Sequence, residues 1–228
     1  MKINILYSPE NIKQKVDLAV VIDVFRAFST ECYIFANNAE KILPVESVDN
    51  ALELKKEHHD YLLMGEDQGE IPESFDYGNS PFEIKDKDFS GKNIIHSTSN
   101  GTKGIYKSIN AEEIITGSFV NIGAIVRYIK QKAPNTVNLI CTGTTSKSVL
   151  DEDHLCARYI EAALLDKETW SVKKIVDTLK KEGYADHYFD ETVTSHPKED
   201  FDYCLDIDRF DFVLKVVKSD RVYIERVN

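Results

Sequence analysis

Six short apolar runs, each followed by a polar turn, constrain this chain more than any other feature. They are 18–24 (LAVVIDV), 41–45 (KILPV), 61–64 (YLLM), 93–96 (NIIH), 113–116 (EIIT) and 136–141 (TVNLIC). Several are apolar at consecutive positions, the pattern of central strands buried on both faces. Helices are predicted between and after them, at 29–37, 48–57, 103–109, 121–131 and 153–165. The stretch 122–129 (IGAIVRYI) carries apolar residues at helical spacing. Alternation of this kind predicts an α/β chain, a layered α/β/α fold around a mostly parallel sheet.

The rhythm changes after about residue 166. One amphipathic helix with a serine cap is expected at 171–181, and 183–211 is rich in Asp, His, Tyr and Phe with little periodicity. Two final strands, 212–217 and 221–227, are joined by a short turn. They form either an edge hairpin or an antiparallel completion of the sheet. The 228 residues fit one domain, 1–228, or two closely packed α/β subdomains.

Acidic residues outnumber basic ones by 39 to 28, for a formal net charge of −11. Such a surface repels nucleic acid and anionic membrane, so neither is an expected partner. An anionic substrate then needs local cations, either Arg and Lys or a metal ion. The four cysteines, at 32, 141, 156 and 204, form no CxxC pair. No run approaches the roughly 20 apolar residues of a membrane span, and a cytoplasmic protein with free thiols is expected. Homo-oligomerisation is left open.

Ligands of open α/β sheets bind outside the carboxyl ends of the strands. Polar residues gather at those ends here. Asp23 interrupts LAVVIDVF, where a carboxylate is costly to bury unless paired or bound to a cation. It serves the site, or it has a structural role in which it caps the next helix or pairs with Arg26. Ser97, Thr98, Asn100, Gly101 and Thr102 belong to STSNGT, which offers hydroxyls, an amide and N–H groups just before a predicted helix, a setting for an anion. Ser118 and Asn121 repeat the arrangement in GSFVN, where a plain helix cap is an equal reading. Glu66, Glu152 and Asp153 add carboxylates, and the CTGTT turn adds Thr142, Thr144 and Thr145. Hard dications such as Mg2+ take oxygen ligands and keep waters, so few carboxylates suffice. His154 lies in the acidic stretch as a further acid/base candidate.

Other motifs fail. DKDFSG at 86–91 begins like a calcium loop, but its twelfth position is Ser97 rather than Glu. No P-loop, GxGxxG or GxSxG occurs.

Nine segments in order resemble the 2-phosphosulfolactate phosphatase family: IDVFRAFST (22–30), NNAEKILPV (37–45), GED (65–67), FDYGNSP (75–81), STSNGT (97–102), TGSFVN (116–121), CTG (141–143), EDHLCA (152–157) and YCLDID (203–208). The resemblance implies a Mg2+-dependent hydrolase of phosphate monoesters of 2-hydroxycarboxylic acids. It implies release of 3-sulfolactate and phosphate, a step towards coenzyme M. Asp23, Glu66, Glu152 and Asp153 are then expected around Mg2+, with Arg26, Asn100, Gly101 and Thr102 on the anionic groups and Asp23, Arg26 and Glu66 as the catalytic set. Attack by water and a phosphoenzyme on Asp23 are both open. Two departures stand out. The family usually has Arg where this chain has Asp67, and smaller residues where it has Phe28. Two rivals remain: a phosphatase for another 2-hydroxycarboxylic acid phosphate ester, and a non-catalytic anion-binding protein.

Overall fold

The expected strands and helices recur in a computed structural model of the chain, which describes residues 1–143, 151–190, 192–193 and 195–228. Thr144 and Thr145 lie outside the described residues. In chain order the main elements are β1 (Lys2–Leu6), β2 (Leu18–Ile22), α1 (Ala27–Ala36), β3 (Lys41–Val45), α2 (Val48–Glu57), β4 (Leu62–Gly65), α3 (Pro81–Ile84), β5 (Asn93–Ser97), α4 (Gly101–Lys107), β6 (Glu113–Gly117), α5 (Ile122–Lys132), β7 (Thr136–Cys141), α6 (Glu152–Leu164), α7 (Val172–Lys181), α8 (Asp186–Phe189), α9 (Glu199–Cys204), β8 (Val213–Lys218) and β9 (Val222–Val227). Most boundaries follow local chemistry. Ser47, Asp151 and Ser171 each accept an N–H from the first turn of the helix they precede.

The strands form one sheet in the order β1-β7-β2-β6-β8-β9-β3-β5-β4. The β1-β7-β2-β6 block is parallel, and so is β3-β5-β4. The antiparallel pair β8–β9 sits between them, so the edge-hairpin alternative is overturned. Leu214, Val216 and Ile224 are buried there, which is why the C-terminal strands read as apolar as the central ones. β1 was not expected from the sequence. KINIL is a short, half-buried edge strand that, among the described residues, pairs only with β7.

Period-two alternation splits the core into layers. Val20, Ile22, Val137 and Leu139 face α5, α6 and α7. Ala19, Val21 and Ile140 face the opposite side, with α1, α4, Ile42, Ile94 and Met64. Leu43, Leu63 and Ile95 pack under α2. Phe28 of α1 is fully buried, so its bulk fills the core rather than narrowing a surface site. Truncating such a side chain costs about 3–5 kcal/mol.

By pairing sense, β3, β5 and β4 run opposite to β2. A twist of about 20–25° per strand accumulates to about 100–125° over the five steps from β2 to β5. That rotation brings the carboxyl ends of β4 and β5 round to the carboxyl end of β2. α1, shared by both blocks, fills the space inside the curve.

Candidate active site

Asp23 follows the last residue of β2 and is buried. Its Oδ1 accepts the Ala27 N–H at 3.1 Å, so it does cap α1. Its Oδ2 accepts the Thr142 hydroxyl at 3.1 Å. It is not paired with Arg26. Burial pushes its carboxyl up to about 6, against the Ala27 and Thr142 hydrogen bonds, and the charges of Glu66 and Glu31 add to the rise.

Asp23, Phe25 and Arg26 form one wall of a cavity of about 230 Å3. Glu66, Gln68, Gly69, Thr98, Ser99 and Asn100 form the opposite wall, and Asn79 and His196 complete it. Two glycines make the close approach of the walls feasible. Gly65 has φ of 130°, and a Cβ there would sit 1.8 Å from the Ser97 carbonyl oxygen. A Cβ at Gly101 would sit 2.8 Å from Asp23 Oδ2.

The STSNGT residues divide by role. Thr98 and Thr102 bond each other reciprocally: the Thr102 N–H donates to Thr98 Oγ1 at 3.1 Å and the Thr98 N–H to Thr102 Oγ1 at 3.3 Å. Both hydroxyls are therefore engaged in shaping the loop. Ser97 is buried at the end of β5, and its carbonyl accepts the Glu66 N–H at 3.0 Å. Ser99 and Asn100 face the cavity. Glu66 braces this loop: its Oε1 accepts the Ser99 N–H at 2.6 Å, and its Oε2 accepts the Ser99 hydroxyl at 2.8 Å and the Gly69 N–H at 2.7 Å.

Ser118 and Asn121 are not at the cavity. They form a capping box before α5, and the Asn121 amide donates to the Phe212 carbonyl at 3.3 Å. Both are fully buried. The plain-cap reading of GSFVN holds, because the carboxyl end of β6 is covered by the chain returning to β8.

The acidic residues lie on the other side of Asp23. Asp153 Oδ1 accepts the Val24 N–H at 2.8 Å, and its Oδ2 accepts the N–H groups of Thr142 and Gly143, each at 3.0 Å. It ties the ends of β2 and β7 to the start of α6. Burial raises its pKa, with Glu152, Asp23 and Asp151 adding to the rise. The half-buried Glu152 is pushed up to about 8, by desolvation first and then by Asp151 and Asp23. His154 is buried beside Asp151, with its ring 4.8 Å from that of Tyr7. Among the described residues, no three acidic, His or Cys side chains converge on one point to hold a metal. The expected quartet of Asp23, Glu66, Glu152 and Asp153 is thus not assembled as one shell. Glu66 and Asp153 spend their oxygens on backbone donors, which holds them away from a common centre. Asp23, Asp151 and Glu152 still crowd their charges together with no Lys or Arg paired to them among the described residues. That donor set fits a hard dication held by one or two carboxylates and water.

Several residues of the site carried no weight in the sequence. Arg26 Nη1 donates to Asp200 Oδ2 at 2.9 Å and to the Ser195 carbonyl at 3.1 Å. Asp200 also accepts the Ser80 hydroxyl at 2.7 Å. His196 sits at the cavity, with burial first and then Arg26 lowering its pKa to about 4, so it is neutral at pH 7. The aperiodic stretch 183–211 thus both packs on the core, through Tyr188 and Phe201, and closes one side of the cavity. Asn79 and the buried Glu31 complete the group. Glu31 had a readable signal, a charge inside the otherwise uncharged helix AFSTECYIFA, of the same kind as Asp23.

A family model described as 2-phosphosulpholactate phosphatase matches residues 6–219. The chain belongs to that family. A protein of Bacillus subtilis named probable 2-phosphosulfolactate phosphatase is 30% identical over 214 residues, 92% of each chain. A relative of the same name from Caldanaerobacter subterraneus is 34% identical over 210 residues, 86% of each chain. Another, from Carboxydothermus hydrogenoformans, is 41% identical over 169 residues, covering 74% of this chain and 69% of the relative. The Arg expected after the Gly-Glu pair is Asp67 here. Its backbone pairs with Glu70 at 2.9 and 3.1 Å, and the neighbouring Gln68, not Asp67, lines the cavity.

Proposed function

We propose that the chain is a Mg2+-dependent phosphatase that hydrolyses 2-phosphosulfolactate to 3-sulfolactate and phosphate. The observation that carries this reading is the position of Asp23. One of its sides faces a small cavity walled by Arg26, Ser99 and Asn100, and the other faces the acidic group at the start of α6. The names of the relatives supply the substrate.

Arg26 holds an anionic group of the substrate. Its buried pairing with Asp200 fixes the guanidinium plane, and its remaining N–H groups suit phosphate or carboxylate oxygens. Asn100 offers donors from the opposite wall, and Glu66 keeps that loop in place by accepting both donors of Ser99. Asp23 is the reacting carboxylate, either taking a proton from attacking water or attacking phosphorus itself. Glu152 with either Asp23 or Asp151, completed by water, would hold Mg2+, which would neutralise phosphoryl charge and polarise the P–O bond. Most of the rate acceleration in phosphoryl transfer comes from such positioning and charge stabilisation. The four described cysteines are free and buried, consistent with a cytoplasmic protein making part of a coenzyme M precursor route.

The decisive assay is phosphate release from 2-phosphosulfolactate with Mg2+ and with a chelator. Release that stops on chelation and in Asp23→Asn is expected. No release with Mg2+ would count against the substrate, and release by Asp23→Asn against the site. Trapping of a phosphorylated Asp23 in single turnover separates the two routes.

A further inference from the structure

A buried polar chain leads from α1 to the cavity wall and has no part in the chemistry above. Glu31, His96 and Asn79 are 0%, 0% and 4% exposed. Glu31 Oε1 lies 2.9 Å from His96 Nδ1, and His96 Nε2 lies 3.3 Å from Asn79 Oδ1. Asn79 lines the cavity, and its own carbonyl accepts the Thr30 hydroxyl at 3.3 Å, which pins its backbone to α1. The other oxygen of Glu31 has no partner among the described residues.

Resting on the phosphatase reading, we propose that Asn79 binds an oxygen of the anionic substrate through its side-chain NH2, and that Glu31 and His96 are positioning residues that fix which end of the amide faces the cavity. An ionised carboxylate only accepts, so the Glu31–His96 contact requires a proton on Nδ1. The remaining nitrogen, Nε2, decides the amide. When it carries a proton it donates to Asn79 Oδ1, and the NH2 turns to the cavity. When it carries none it must accept from the NH2, and Oδ1 turns to the cavity, where it repels an anion.

Geometry selects the first arrangement, because Asn79 Oδ1 is the end of the amide that lies 3.3 Å from His96 Nε2. Glu31 is buried, and His96 is its only paired group among the described residues. Burial drives the Glu31 pKa up, and the hydrogen bond and charge of His96 oppose that rise. Cys32, next to Glu31, is held protonated by burial and by the Glu31 charge. The chain of hydrogen bonds thus works at a distance: an acceptor on α1 sets a donor on the cavity wall.

The test is a double-mutant cycle read by KM and kcat on 2-phosphosulfolactate, with titration of inorganic phosphate as a readout that needs no turnover. Asn79→Ala should raise KM and weaken phosphate binding about tenfold to a hundredfold, the loss of one hydrogen bond to a charged group, with a smaller change in kcat. Asn79→Asp should be worse than Ala, because it points a charge at the anion. Glu31→Gln should raise KM in the wild-type background and change it little on top of Asn79→Ala, since it acts only through the amide. If Glu31→Gln does not fold, His96→Gln goes through the same cycle. Wild-type KM and phosphate affinity in Asn79→Ala, or effects of Glu31 that add fully to those of Asn79, overturn the proposal. A wild-type protein that binds phosphate through Asn79 but releases none from 2-phosphosulfolactate refutes the substrate reading and leaves this one standing.

Discussion

Replacing Asp23 by Asn should make the metal-free protein more stable while abolishing its activity. The folded-state carboxyl titrates near 6, raised by burial from the ordinary 3.8. A raised carboxyl favours the protonated form, so folding stability is highest below about pH 4 and is lost as pH rises towards the folded value. A gap of about two pH units at about 1.4 kcal/mol each removes about 3 kcal/mol by pH 7. The amide of the Asp23→Asn variant cannot ionise, yet it keeps an oxygen that can accept the Ala27 N–H. With chelator at pH 7.5 the variant should therefore melt higher than wild type, by about 6–12 °C for a chain of this size. At pH 4.5 the advantage should shrink to about a third of that. Adding Mg2+ at pH 7.5 should raise the wild-type melting temperature and leave the variant nearly unmoved, because the dication relieves a charge the variant lacks. Thermal denaturation at the two pH values, with and without Mg2+, reads all three effects. A variant that is less stable than wild type at pH 7.5, or an advantage that does not depend on pH, would refute the reasoning.

Three further outcomes follow from the same geometry. Gly101→Ala places a methyl group 2.8 Å from Asp23 Oδ2 and 2.9 Å from the Ala27 Cβ, so kcat should fall at least tenfold in a protein whose circular dichroism is unchanged. Asp67→Arg puts the cation expected from the family resemblance beside Gln68, which lines the cavity; it should lower KM for an anionic ester several-fold at low salt and lose that advantage at high salt. Ser118→Ala should cost about 0.5–2 kcal/mol of stability through the lost cap, measured by urea denaturation, with KM unchanged.

The legible parts of the fold are those where local pattern and tertiary setting agree. The runs at 41–45 and 136–141 are strands at their expected boundaries, because both faces are buried and the residues are mostly β-formers. KINIL was not readable, since a half-buried edge strand of five residues has too little contrast. The short helices α8 and α9 escaped for a related reason: four and six residues are too few for a helical period to show.

Within the site, the sequence alone marked Asp23, Arg26, Glu66 and the STSNGT loop, because charge or hydrogen-bonding groups stand out beside apolar strands. It also determined the α/β layering, and through the order of its motifs the family. Three things were decided only by the tertiary structure. The antiparallel pair β8–β9 entered the middle of the sheet, and the twist it adds carried the ends of β4 and β5 to Asp23. Ser118 and Asn121, chemically as suitable as Ser99 and Asn100, were turned into a buried cap by the returning chain. Glu31, His96 and Asn79 became one hydrogen-bonded chain across 65 and 17 residues of sequence. A residue type announces what bonds it can make; which partner satisfies them depends on burial, and burial belongs to the folded whole.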